Sequence, residues 1–189
     1  DKTDFLDKDD LWMLEPSFES LQNDLRWKRL TTQWHLKQER LERVRANPVS
    51  IELEKIHYLD QYFRQNRDSV IALHGLKSPE MKDWMHRWAT QDSFNYLKVN
   101  EILEKYGWLG PDEVSELAST TLWLVIQHAD FNLPAQEKWL PVMRDAVRAG
   151  KAKPGNLAYL EDSVLKNQGK PHRYGSQLYD DQVTGEFVL

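Results

Sequence analysis

Apolar residues recur three and four positions apart along most of the chain, the period of an amphipathic helix. Val114, Ala118, Thr121, Val125 and His128 fall on one such stripe, so an imidazole stands in line with residues suited to a core. The surrounding run LWLVIQHAD, Leu122 to Asp130, is apolar until it ends in a histidine and a carboxylate. A buried polar group needs a partner, so another part of the chain has to meet that ring.

The same pattern predicts the other elements. A long helix is read from Ser17, an N-cap behind Pro16, to Ala46, with Trp27, Leu30, Trp34, Leu41 and Val44 as a heptad-like seam. Asn47-Pro48 breaks it, and Ser50 caps a second helix whose seam is Ile56, Leu59, Phe63, Val70 and Leu73 and whose end is Gly75. Ser78-Pro79-Glu80 opens a third, which runs to Tyr106 through Met81, Trp84, Trp88, Val99 and Ile102. Asp92 and Asn95 interrupt that stripe where burial is expected, and such interruptions mark function, because an all-apolar seam is easier to stabilise. After the turn Tyr106 to Pro111 and the QHAD helix, Asn132-Leu133-Pro134 leads into a helix on which Gln136 shares a face with Leu140, Met143 and Val147. Gly150 ends it. Pro154-Gly155-Asn156 precedes a last helix, with Leu157, Leu160 and Val164 inward and Asp162 on the flank, stopped by Gly169. From His172 the character changes. His172 to Tyr179 and Glu186 to Leu189 read as two short strands around Asp180 to Gly185, a ribbon that has to lie on the helices. The expected fold is mainly α, with about five helices in an irregular bundle and a short C-terminal β-hairpin.

Composition narrows the classes. A chain of 189 residues is read as a single domain with a real core. Its net charge of -5 argues against nucleic-acid binding. No apolar run approaches the roughly 20 residues that span a bilayer. Cys is absent, which removes disulfides and thiolate zinc sites. The compartment stays open: an opening at Asp1 without Met fits a processed or trimmed chain, and an export signal already removed would leave no trace. The first helix carries Arg26, Lys28, Arg29, Lys37, Arg40, Arg43 and Arg45, either a solvated face pairing with Glu39 and Glu42 or a surface for a protein partner.

Several residues, taken in order, resemble an uncharacterised family of bacterial domains of unknown function. They are Asp60-Gln61-x-x-Arg64, Asp92-x-x-Asn95, Tyr106-Gly107-Trp108, Gln127-His128-Ala129-Asp130, Gln136 with Leu140-Pro141, Asn156-Leu157-Ala158-Tyr159-Leu160-x-Asp162, Gln168-Gly169 and Tyr174-Gly175-Ser176-Gln177. The resemblance implies a core over 49–189 with the basic helix of 1–48 as an extension, and it implies no activity.

The chemistry therefore rests on the side chains. His128 is either a satisfied core histidine or an acid–base catalyst. Asp130 lies off its face unless the helix ends near Ala129, in which case it can swing back to orient the ring. Asp60 and Arg64 stand at i,i+4, with Gln61 beside them. Tyr174 and Gln177 offer a ring, a hydroxyl and an amide around Gly175, groups that either orient a polar ligand or stitch the ribbon to helix ends. His128, Asp130, Asp162 and His172 are metal-compatible donors, but neither HExxH nor a close His pair is present, so no metal or cofactor is expected. YGSQ is not the GxSxG elbow that would make Ser176 a nucleophile. Two functions follow. In the first, His128 and Asp130 are catalytic in a pocket for a polar small molecule or peptide, which Asp60, Gln61, Arg64, Asp92, Asn95, Gln136, Asp162, Tyr174 and Gln177 bind, with hydrolysis or group transfer as the reaction. In the second, the polar set fixes helix packing in a non-enzymatic module that meets a protein through its first helix.

Overall fold

The structure, a computed structural model, describes residues 15–177 and the backbone of 179–180 and 187–188. A 3-10 turn, Pro16–Leu21, precedes six α-helices: α1 (Leu25–Arg45), α2 (Pro48–His74), α3 (Pro79–Tyr106), α4 (Glu116–His128), α5 (Leu133–Arg148) and α6 (Pro154–Asn167). By contact the chain divides into two compact units, 1–43 and 44–189.

In the first unit, Ser17 lies inside the 3-10 turn and caps nothing there; α1 starts at Leu25. Asp24 does the capping, its carboxylate accepting from the Arg26 N–H at 2.7 Å and its carbonyl from the Lys28 N–H at 3.0 Å. Phe18 stacks on Trp27 with ring centroids 5.0 Å apart. Leu25, Leu30 and Leu36 are exposed on α1, and Val44 is its one buried residue.

The second unit is built on α4. No residue of α4 after Glu116 is exposed, and the helix packs against α2, α3, α5 and α6. A helix apolar on every side has to be central, and the LWLVI run makes this one so. Its Leu122, Val125 and Ile126 join Leu53 and Ile56 of α2, Val99 and Leu103 of α3, Met143 of α5 and Leu160 of α6 in one core. Burying each such side chain contributes about 1.5–3 kcal/mol.

Local signals set the helix ends. Asn47 caps α2 by accepting from the Val49 N–H at 2.9 Å, ahead of Pro48, so the cap is not Ser50. Ser50 is instead wholly buried inside α2, donating to the Val44 carbonyl and accepting from the Ser115 N–H, where α4 begins. Ser78, Ser115 and Asn132 cap α3, α4 and α5. Gly75 and Gly107 close α2 and α3 at φ 87 and φ 69, a region costly for any residue with a Cβ.

Two expectations about the fold are corrected. The helices number six α and one 3-10 among the described residues, rather than about five, and the stretch read as one helix from Ser17 divides into the 3-10 turn and α1. Among the described residues, the C-terminal hairpin expected from His172 onward is not formed. From 171 to 177 the backbone is irregular, because the N–H groups that a strand would give to a ladder go to a carboxylate of α6. Among the described residues, β pairing amounts to Tyr179–Asp180 against Phe187–Val188, two residues on each side. The expected turn at 181–185, with Leu178, Glu186 and Leu189, lies outside the described residues. The seam of α2 also differs: Leu59 and Leu73 are exposed, and the inward line is Leu53, Ile56, Asp60 and Phe63. A carboxylate thus occupies a core position.

Candidate functional site

Asp60 is 1 % exposed, and everything around its carboxylate is a donor. His128 Nδ1 lies 3.0 Å from Oδ1 and 2.9 Å from Oδ2. Gln61 Nε2 donates to Oδ2 at 2.8 Å, and Arg64 Nη1 stands 3.3 Å from Oδ1. Arg64 turns the other edge of its guanidinium to Asp92, with Nη1 to Oδ1 at 3.0 Å and Nη2 to Oδ2 at 2.9 Å, the bidentate geometry that Lys cannot supply. The Trp88 ring supports that cation at 5.2 Å. His128, Asp60, Arg64 and Asp92 therefore form one hydrogen-bonded chain across α4, α2 and α3.

The wiring determines the histidine's tautomer. A carboxylate that already receives Gln61 and Arg64 accepts from the imidazole, so Nδ1 carries a proton, and in the neutral ring the lone pair is on Nε2. The His128 side chain is 23 % exposed, so the ring is open at an edge while its orienting partner is sealed. Burial pushes the Asp92 carboxyl above its ordinary value, against the pull of Arg64. Burial also pushes the His57 imidazole below its ordinary value; Asp60 and Glu54 oppose that shift and His128 adds to it. Asn95 is fully buried one turn beyond Asp92; its Oδ1 accepts from Gln91 at 2.8 Å, while its Nδ2 meets no acceptor.

Asp130 is exposed, and it is Asp60 that meets the His128 ring. The Asp130 carbonyl accepts from Asn167 at 3.2 Å, which ties it to a second polar group. Gln136, wholly buried, donates from Nε2 to the Ile126 and Gln127 carbonyls at 3.2 and 3.1 Å and to Ser163 Oγ at 3.2 Å. Its Oε1 accepts from Asn167 at 3.0 Å. It thereby satisfies the open carbonyls at the end of α4 and joins them to α6.

Asp162, next to Ser163, is equally sealed. Its Oδ1 accepts the N–H groups of Arg173 at 2.7 Å and Tyr174 at 3.0 Å; its Oδ2 accepts Ser176 N–H at 2.8 Å and Ser176 Oγ at 2.9 Å. Burial alone would raise this carboxyl, but the donors from Ser176, Arg173 and Tyr174 outweigh it and hold it below the usual 3.8. Gly175, at φ 68, supplies the bend that brings these donors onto one carboxylate. Tyr174 donates its hydroxyl to Glu161 at 2.9 Å, and Gln177 donates to the Tyr159 carbonyl at 3.3 Å. Glu161 also receives Arg144 at 2.8 Å; its carboxyl lies below the ordinary range, with burial opposing and Arg144, Tyr174 and Arg173 prevailing.

The structure thus brings Asp60, Gln61, Arg64, Asp92 and His128 into one cluster, with Asn95 one turn away. Gln136, Asp162, Tyr174 and Gln177 form another on α5, α6 and the tail, linked to the first through the last turn of α4. Sequence reasoning missed His57, although positions 57, 60, 61 and 64 share one face of a helix. It missed Glu161 because Asp162 drew attention from its neighbour. Among the described residues, no three His, Asp or Glu side chains gather to hold one metal ion, and no helix is long and apolar enough to cross a membrane. One cavity of about 440 Å³ lies between the start of α4 and the start of α6, and another of about 430 Å³ lies between α5, α6 and Arg173; His128 lines neither.

A family model described as a family of unknown function (DUF6624) matches residues 49–186. No curated protein and no solved structure matches the chain.

Proposed function

The chain belongs to the DUF6624 family, a family of unknown function, and from that premise we propose that it carries an acid–base site for hydrolysis or group transfer on a polar small molecule or peptide. The observation that carries this reading is the pairing of a sealed carboxylate with a part-exposed imidazole. Asp60 holds His128 by Nδ1 at 2.9 Å, so Nε2 is free to take a proton from a nucleophile and return it to a leaving group. Asp60 is the positioning residue, in the way a buried carboxylate fixes tautomer and ring plane in other His-dependent sites. Gln61 and Arg64 hold that carboxylate, Asp92 holds Arg64, and Asn95 lies buried one turn beyond Asp92. Asp130, exposed just beyond the helix end, is the second carboxylate of the proposed site. Gln136, Asp162, Tyr174 and Gln177 support the site by anchoring α5, α6 and the tail around the end of α4.

The test is a thermal-shift and turnover screen of polar metabolites and short peptides on the parent protein and on His128→Ala. A compound that stabilises the parent and loses its effect with His128→Ala supports the site, since binding to the native state raises apparent stability. Turnover or stabilisation that survives His128→Ala undiminished would refute it.

A second reading has its own observation. The carboxylate of Asp162 and the amide of Gln136 are spent on internal partners, as expected of a network that fixes packing. On that reading the working surface is α1, where exposed Leu25, Leu30 and Leu36 alternate with Arg and Lys, and the partner is a protein. Pull-down and titration with residues 1–43 deleted separate the two: an acid–base site keeps its ligand, and an interaction module loses its partner.

A further inference from the structure

Helices α2 and α4 run side by side in the same direction, and their polar contacts recur in step: Ser50 with the Ser115 N–H, His57 with Thr121, Asp60 with His128. His57 stands one turn before Asp60 on the same face of α2. We propose that His57 is the second acid–base residue of the His128 site, the ring that takes a proton from the nucleophile while His128 gives one to the leaving group. This rests on the acid–base reading above and assigns to two rings the transfers that one ring would make in turn.

The tautomer of His57 follows from Thr121. The Thr121 hydroxyl donates to the Leu117 carbonyl at 2.7 Å, so toward the ring, 3.4 Å from Nδ1, it presents a lone pair. Nδ1 of His57 therefore carries the proton, and in the neutral ring the lone pair is on Nε2. Both imidazoles are then held at Nδ1 and basic at Nε2. Both rings are part-exposed, neither Nε2 has a partner among the described residues, and neither is sealed from solvent.

The partners at Nδ1 divide the roles. Nδ1 of His128 meets the Asp60 carboxylate, which stabilises an imidazolium, and Nδ1 of His57 meets a neutral hydroxyl. Burial holds His57 below its ordinary 6.5; Asp60 and Glu54 pull the other way, and His128 adds to the lowering. Glu54 is itself tied to the Ser115 hydroxyl, and Asp60 to Arg64, whose other edge is on Asp92 of α3. One proton shared by the pair therefore sits on His128, and His57 stays the base. As the oxygen of a water or hydroxyl attacks, its O–H bond breaks and the proton passes to His57 Nε2. The bond to the leaving group breaks, and that group takes the Nε2 proton of His128. The pair keeps its proton count, and water carries one proton from His57 back to His128.

The test follows the ring resonances of both histidines against pH in the parent and in His128→Gln, with His57→Gln for assignment. As pH falls, His128 should take its proton before His57, and the neutral His57 ring should carry its proton on Nδ1. In His128→Gln the His57 midpoint should rise by at least about 0.3, a factor of two in proton affinity, because the neighbouring charge is gone. Diethyl pyrocarbonate, which acylates an unprotonated imidazole nitrogen, should modify His57 in the folded parent at about pH 6, below the ordinary histidine value. A neutral His57 with its proton on Nε2, a His57 that titrates before His128, a midpoint unmoved in His128→Gln, or a His57 that escapes acylation would each overturn the proposal. Any of these beside a ligand that depends on His128 would sink the role of His57 and leave the acid–base reading standing. A screen that yields no such ligand would sink the acid–base reading, and the role of His57 with it, even if the two rings titrate as a pair.

Discussion

Replacing Asp162 with Asn removes one charge and changes almost no volume, so the result reports on the hydrogen bonds and their charge assistance rather than on packing. The native carboxylate accepts on both oxygens, from Arg173 and Tyr174 on one and from Ser176 N–H and Oγ on the other. An amide has one accepting atom. If its oxygen keeps Arg173 and Tyr174, its NH2 faces the Ser176 N–H across what was a 2.8 Å bond, donor against donor. One buried N–H is then unpaired, which costs about 1–3 kcal/mol, and the retained bonds lose their charge assistance, for a total of about 2–4 kcal/mol. The loss falls on the tail and not on the core, because the partners of Asp162 are three tail N–H groups and the Ser176 hydroxyl, and the α2–α4 core does not depend on it. Hydrogen exchange at the amides of Arg173, Tyr174 and Ser176 reads it directly. Protection there drops by about 30-fold to about 1000-fold, and protection of Leu53, Val99 and Leu122 stays unchanged. A change of less than about threefold at the tail amides, or a loss spread evenly through the core, would show that the carboxylate does not hold the tail.

Other predictions follow from the same geometry. Asp162 and Glu161 both have folded-state values below their ordinary 3.8 and 4.5, so the stability they give is present above those values and is lost as pH falls through the lowered ones. Tail protection should therefore collapse on acidification before the core melts, and the difference between parent and Asp162→Asn should vanish at the acid end. Asp92 has the opposite sign. Its value is raised, so its burial favours the fold at low pH and opposes it once pH passes the raised value; Asp92→Asn should flatten that part of the stability curve measured by denaturant titration. Asp60→Asn should move the neutral His128 proton from Nδ1 to Nε2, because Arg64 draws the amide oxygen and the NH2 then faces the ring. Nitrogen-15 shifts of the imidazole read this, and an unchanged tautomer rules out Asp60 as the positioning group. Ser50→Ala leaves the Ser115 N–H and the Val44 carbonyl short of a partner in a fully buried position, and should cost about 1–3 kcal/mol in thermal or urea unfolding.

Much of the fold was legible one turn at a time. The Ser78 cap, the Gly75 and Gly150 stops and the QHAD stripe depend on groups a few residues apart, and local physics decides them. So does the central place of α4, since a helix apolar on every side has nowhere else to go. The candidate site was legible as an inventory of residues and not as a wiring scheme. Asp130 is two residues from His128 and looked like its partner; Asp60, 68 residues away, is the group that meets the ring. Adjacency in sequence says nothing about which carboxylate a helix crossing delivers. The tail failed as a strand for a related reason, because Asp162 offers two charged acceptor oxygens where a ladder would offer neutral carbonyls, and the stronger acceptor took the N–H groups.

The sequence by itself therefore determined the helical class, most of the helix boundaries and which polar residues stand where apolar ones were due, because periodicity, caps and breakers act within a turn or two. Only the tertiary structure decided that Asp60 and not Asp130 meets the His128 ring, that Arg64 is held by Asp92, and that Asp162 binds the tail. Those choices depend on how α2, α3, α4 and α6 cross, and helix crossing is set by the packing of the whole core rather than by any short stretch of the chain.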